Sequence, residues 1–330
     1  MPLKLSVLDQ SIALEGQGED AAIRETLALA EQAEALGYAR FWLSEHHGMP
    51  TIVGTAPEVL MAAVAARTRR IRIGSAGVML PHYSALKVAE QFRVLEALAP
   101  GRIDLGVGRA PGSDMRFAQA LNPQAHRAAE HFPEQVRDLL AWSSLPAHRG
   151  LTAHPIGTHA PELWILGSSD YGAQLAAHFG LPYAFAYFFM DGQGVERALE
   201  LYRSLYRPSE RHPQPQATVC VWALAADSAA QARHHASSRD HWRAERLQGR
   251  YAPLQDPDRL AEQGFGGDGG VAPAKTFVGD APEVAARLRA LAAALELDEL
   301  VINTWAWHPG VRLRSYALLA REFALEAGAA

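Results

Sequence analysis

Residues able to do chemistry gather in four short groups along the chain. The first, Trp42-Leu43-Ser44-Glu45-His46-His47, sets a carboxylate beside two imidazoles. Histidine titrates near neutral pH and a carboxylate can fix its tautomer, so Glu45, His46 and His47 suit acid–base work. Metal ligation fits less well, because adjacent strand residues point to opposite faces and both histidines would struggle to reach one ion. A polar strand end facing water is the structural alternative. The second group, Gly74-Ser75-Ala76-Gly77, puts small residues where a strand usually carries bulk. Such a run marks a flat ligand or another backbone approaching closely, or a bulge.

The third group is Gly106-Val107-Gly108-Arg109. Its glycines permit close approach, and the permanent charge of Arg109 matches either a phosphate or a structural ion pair. The pattern does not continue into a dinucleotide fingerprint, since Pro111 follows and no helix starts at once. The fourth, Leu166-Gly167-Ser168-Ser169-Asp170, lies where a strand turns into a helix. Free amides at a helix start, with serine hydroxyls beside them, make a phosphate site, although serine is also an ordinary N-cap. Arg109 and the Gly167–Ser169 turn together describe a cradle for one phosphomonoester.

These groups need elements that bring them to one end of the molecule. Strands are expected over Leu3–Leu8, Ala39–Ser44, Ile71–Leu80, Arg102–Gly106, Glu162–Leu166, Tyr183–Phe189, Ala217–Ala225 and Glu299–Thr304. Helical patterns lie between them. Asp20 is the expected cap of the first, which exits at Gly37; Thr55-Ala56-Pro57-Glu58, a capping-box pattern with an early proline, starts the second. Others are expected over Ser84–Leu98, Asp170–Phe179, Val195–Tyr206 and Val311–Ala327. Eight β-then-α units imply parallel strands with right-handed crossovers, which close naturally into a (β/α)8 TIM barrel; an open doubly wound sheet is the competitor. In such a barrel all four groups sit at the ends of strands, where active sites form.

Three stretches exceed a minimal barrel: Ala110–Gln124, Ser143–Pro161 and Gln248–Lys275. The last holds the glycine-rich run Gly264–Gly270, read as either a lid or a surface loop. Trp305, Trp307 and His308 either wall a substrate pocket or cap the barrel.

The chain has 330 residues, 48% hydrophobic and 20% charged, with a net charge of -5. That balance supplies no general attraction to nucleic acid or acidic membranes. With no change of composition along it, residues 1–330 read as one domain. The single cysteine, Cys220, excludes an internal disulfide and sits in an apolar run, as a buried structural thiol would. No signal-like start and no span-length apolar run is visible, so a cytoplasmic protein is expected.

In this order, Phe41–His47, Gly74–Val78, Gly101–Arg109 and the stretch from Gly167 through Pro182 resemble the bacterial-luciferase-like family of flavin-dependent monooxygenases. The resemblance runs through most of the chain and implies the same barrel. It implies a catalytic role for His46 beside Glu45 and His47. Ser75, Ala76 and Gly77 would lie under the flavin ring, in a segment where the family often has a non-proline cis peptide. Arg109, with Arg127 as a second arginine, and Gly167, Ser168 and Ser169 would hold the FMN phosphate. Reduced FMN would come from a separate flavin reductase, which fits the lack of an NAD(P)H motif, and would activate dioxygen beside a small organic substrate. A homodimer through helices near the second and third strands is also implied, and no metal. Gly108 stands where bacterial luciferase has a reactive cysteine, which speaks against light-emitting aldehyde oxidation. A deazaflavin-dependent oxidoreductase and a weakly catalytic flavin-binding protein are the alternative readings. A metal-dependent hydrolase is disfavoured, because Asp104, His178 and His308 form no familiar ligand set.

Overall fold

Side chains alternate between two faces along every strand of the chain, and each face has its own partners. A computed structural model describes residues 2–110, 114–265 and 277–326. Its strands are β1 (Lys4–Asp9), β2 (Arg40–Leu43), β3 (Arg72–Met79), β4 (Ile103–Gly108), β5 (Glu162–Gly167), β6 (Tyr183–Phe185), β7 (Ala217–Ala226), β8 (Phe277–Asp280) and β9 (Glu299–Asn303). All pairings are parallel. The order β1-β2-β3-β4-β5-β6-β7-β9 returns to β1 and closes an eight-stranded barrel ringed by helices. The TIM-barrel expectation therefore holds.

Outward residues such as Val7, Phe41, Ile73, Leu105, Ile165 and Ile302 share one large buried cluster with helix residues including Ala30, Phe92 and Val136. Inward residues Leu8, Trp42, Trp164, Ala184, Cys220 and Val301 form a separate plug inside the barrel. Trp42 and Trp164 meet edge to face with ring centroids 5.1 Å apart. Gly74 makes room for this plug: a Cβ there would lie 2.6 Å from the Trp42 ring and 2.7 Å from Asp104. Cys220 is buried, as expected, and burial pushes its thiol pKa up.

At the strand beginnings the barrel is closed by charge. Arg40 pairs with Asp104 at 2.8 Å, Glu162 at 2.9 Å and Glu299 at 3.1 Å. Arg72 adds a second contact to Asp104 at 2.5 Å. Burial alone would raise the Glu162 carboxyl, but Arg40 and Arg72 outweigh it and hold its pKa at about 2. This end of the barrel is thus sealed, which leaves the strand C-termini, where active sites of such barrels form, as the mouth.

Several local expectations need correction. The first helix, Glu19–Ala35, is capped by Gly18; Asp20 lies inside the first turn and pairs with Arg24 at 2.5 Å. The second helix does start at Pro57, but Ala56 is its cap and no side chain caps it. The sixth strand stops at Phe185. Beyond it Tyr187–Phe189 forms a 3-10 turn, because the chain folds back through Gly192 (φ 78°), whose amide bonds the Tyr187 carbonyl at 2.9 Å. A ninth strand, β8, was not expected; it pairs with the far end of β7, Ala223 to Ala226. The stretch after the fourth strand carries helices Met115–Leu121 and Ala125–Glu130. Apart from Gly264 and Phe265, the glycine-rich run lies outside the described residues. No helix among the described residues is long and apolar enough to cross a membrane.

Candidate active site

The Glu45-His46-His47 group leaves the end of β2 in a loop, so its side chains are set by partners rather than by strand alternation. Glu45 is buried and its carboxylate is fully engaged. Oε1 accepts from Tyr83 Oη at 2.6 Å and lies 2.8 Å from His47 Nε2, while Oε2 accepts from the Met79 amide at 2.9 Å. The carboxylate therefore orients His47. His46 is held separately, with Nδ1 3.2 Å from Ser44 Oγ, which leaves Nε2 without a partner among the described residues. Burial lowers the His46 pKa to about 4; Glu45 opposes this, and the charges of His47 and Arg246 add to it. The imidazole is neutral at physiological pH, and in the tautomer whose Nδ1–H donates to Ser44 Oγ it can accept a proton at Nε2. Gly48 closes the loop at φ 66°, and the Phe117 ring packs where its side chain would be.

The small residues of β3 divide into two kinds. Ser75 is fully buried, and its hydroxyl donates to the Gly106 carbonyl at 2.9 Å. Gly106 in turn packs against the Ser75 carbonyl so closely that no Cβ fits. Ala76 and Gly77, linked by a non-proline cis peptide, are partly exposed where the β3–β4 register shifts. That pair is the part of the group available to a ligand.

Arg109 follows β4 and is exposed, with its guanidinium carbon 4.0 Å from the Tyr171 ring centroid. Tyr171 belongs to the first turn of the helix Asp170–Phe179, whose cap is Ser169. The structure thus brings Arg109 to the Gly167-Ser168-Ser169 turn across 60 residues of chain. Ser168 and Ser169 are exposed, and the Ser169 hydroxyl caps nothing, so hydroxyls and first-turn amides remain free for an anion. A Cβ at Gly108 would meet nothing within 4 Å, so open space adjoins the arginine. This donor set fits a phosphomonoester. Arg127 is exposed on the helix Ala125–Glu130, and no hydrogen bond or ion pair among the described residues joins it to this cradle.

Apolar and aromatic residues form the wall around β1, β7 and β9. Trp305 packs on Trp242 at 4.7 Å and donates to Gln10 Oε1 at 3.0 Å, while Asn303 Nδ2 donates to the same oxygen at 2.6 Å. Trp222, Ile12 and Ile52 belong to the same buried cluster, with Phe188 and Trp307 packed against it. Sequence reasoning missed Tyr83, Tyr171, Gln10 and Arg246. Only Tyr171 carried a local signal, two residues beyond Ser169. Asp104, inside the motif that leads to Arg109, lies in the ion network at the opposite end of the barrel. One group of possible metal ligands occurs among the described residues, Asp256, Asp258 and His308, and of the residues singled out in the sequence it includes only His308.

The family model described as luciferase-like monooxygenase matches residues 3–297. A protein of Escherichia coli named luciferase-like monooxygenase is 38% identical over 324 residues, 96% of each chain. The solved structure of apo-MsnO8 is 34% identical, covers 98% of this chain and 99% of its own, and superposes with a TM-score of 0.92. The oxygenating constituent of 3,6-diketocamphane monooxygenase from Pseudomonas putida, solved in complex with FMN, is 18% identical over 98% of both chains with a TM-score of 0.72, a likeness of fold.

Proposed function

The chain belongs to the luciferase-like monooxygenase family, and from that premise we propose that it is a flavin-dependent monooxygenase using reduced FMN and dioxygen. One small organic substrate, one dioxygen and one reduced FMN would give one oxygenated product, one water and oxidised FMN. The observation that carries this reading is Arg109 stacked on Tyr171 beside the uncapped Ser168-Ser169 turn. It is a phosphate cradle at the mouth of a barrel. The FMN complex of the 3,6-diketocamphane enzyme, on the same fold, supports the choice of cofactor.

FMN, when bound, supplies the electrons for oxygen activation. The protein's own share is placement and proton handling. Arg109, Ser168, Ser169 and the first amides of the helix Asp170–Phe179 would hold the phosphate, with Arg127 as a proposed second arginine. Ala76 and Gly77 offer a small-residue face for a flat ring, backed by Ser75. His46 would move a proton at Nε2, while Glu45 keeps His47 and the Tyr83 hydroxyl in place. Apolar groups on the opposite wall would exclude water and so protect a reactive site. A separate reductase would deliver reduced FMN in the cytoplasm, and the chain would work as one unit. Val59, Val94 and Leu98 are exposed on the helices Pro57–Arg67 and Ala85–Leu98, an apolar face suited to a homodimer.

Arg109→Ala tests the cradle. It should weaken FMN at least about tenfold, the scale of one charge-assisted hydrogen bond, and leave riboflavin unchanged. Equal loss for both flavins, measured by fluorescence quenching, would remove the phosphate role.

A further inference from the structure

The helix Ala229–Leu247 carries Arg239, Arg243 and Arg246 four and three residues apart, so the three cations share one face with Trp242. That face covers the barrel mouth. Trp242 packs on Trp305 and donates to Thr51 Oγ1 at 2.7 Å, and Arg246 lies over the Phe189 ring at 5.3 Å. Arg243 is paired with Asp191 at 2.7 Å. Arg239 has no such partner. It is 5% exposed, makes no ion pair among the described residues, and its Nη1 has neither a hydrogen bond nor solvent.

Its guanidinium carbon sits 4.0 Å from the centroid of the Trp222 ring. Trp222 follows Thr218 and Cys220 on the inward face of β7, so the pair lies at the inner rim of the mouth. Two more polar atoms there are buried and unpartnered: Trp222 Nε1 and Oδ1 of Asn303, the register partner of Trp222 on β9. Burial, with the like charge of Arg243, lowers the Arg239 pKa to about 9. Asp240 and Asp191 oppose this by through-space attraction, though neither forms an ion pair with Arg239, and burial raises the Asp240 carboxyl pKa. A buried cation with no ion pair is costly to keep, and a cost of this kind is expected where a ligand supplies a direct partner.

We propose that the substrate is a small organic carboxylate, whose anionic group docks on Arg239 and the Trp222 indole N–H at the β7–β9 side of the mouth. Two donors match the two carboxylate oxygens. The flavin phosphate has its own cradle at Arg109, which leaves this second cation for the substrate. The assignment rests on reading the barrel mouth as the substrate-binding end.

The test uses the full chain, with and without FMN, and matched probes: phenylacetate, 3-phenylpropionate, hexanoate and (methylthio)acetate, each beside its neutral carboxamide. Thermal-shift titration should show carboxylates acting at concentrations at least about tenfold below their amides. Arg239→Met should erase that preference, keep the FMN dissociation constant, and raise the melting temperature of the ligand-free protein, since the unpaired buried charge is gone. Arg239→Lys, which keeps the charge, should retain part of the preference. The proposal is overturned if no carboxylate is preferred, if the preference survives Arg239→Met, or if that variant melts lower or loses FMN affinity. Should wild-type protein fail to bind FMN yet still prefer carboxylates, the flavin reading would fall and this assignment would stand.

Discussion

His46 and His47 are neighbours in sequence with different chemical surroundings. His47 is tied to a carboxylate, whereas His46 faces only the Ser44 hydroxyl and has a pKa of about 4 through burial. The sign of the consequence is fixed. The unfolded chain protonates this imidazole near its ordinary value of 6.5, while the folded chain does so only near 4. Its contribution to stability is therefore complete above pH 6.5 and is lost as pH falls from 6.5 towards 4. His46→Gln should flatten the urea midpoint over that window; an unchanged pH profile would refute the depressed pKa. Residue types at this site were legible because chemistry selects them. Their partners were not, because Tyr83 lies 38 residues from Glu45 and Arg246 lies 200 from His46, and only the fold brings them close.

At the scale of elements, strands were easier to read than caps. Short apolar runs between helical patterns marked eight barrel strands, because both faces are buried: one packs on helices and the other fills the barrel. Caps were misread: Gly18 rather than Asp20 caps the first helix, and Ala56 caps the second, which does start at Pro57 within the expected Thr55–Glu58 pattern. The short β8 escaped because it pairs only with an overhang of β7. The glycines of β3 and β4 were read as either ligand space or close approach, and both occur. Gly74 and Gly106 are filled by neighbours, and a Cβ at Gly77 would also meet the Leu166 side chain and lie 2.7 Å from the Gly106 carbonyl oxygen, while Ala76 and Gly77 keep partial exposure. Gly106→Ala should force β4 away from the Ser75 carbonyl and cost about 1–3 kcal/mol in chemical denaturation. Wild-type stability in that variant would contradict the close packing.

At the scale of the whole molecule, the two ends of the barrel divide stability from function. Arg40, Arg72, Asp104, Glu162 and Glu299 come from five strand beginnings and seal one end. Arg40→Met would leave buried Glu299 without an ion pair and Asp104 and Glu162 with Arg72 alone, at a cost of about 3–5 kcal/mol, while leaving flavin affinity in the folded protein intact. Loss of flavin affinity without loss of stability would contradict this division. The chain showed each charged residue of this network but not its grouping, since strand beginnings meet only when the barrel closes. The other end gathers His46, Arg109, Ser168 and Ser169, each at or just after the end of a strand.

The central claim is that this end binds reduced FMN through its phosphate. Anaerobic titration of the wild-type protein with reduced FMN and with reduced riboflavin tests it most directly. The account predicts saturable binding of reduced FMN, at least about tenfold tighter than that of reduced riboflavin. Equal affinity for the two, or no saturable binding of reduced FMN, would contradict it.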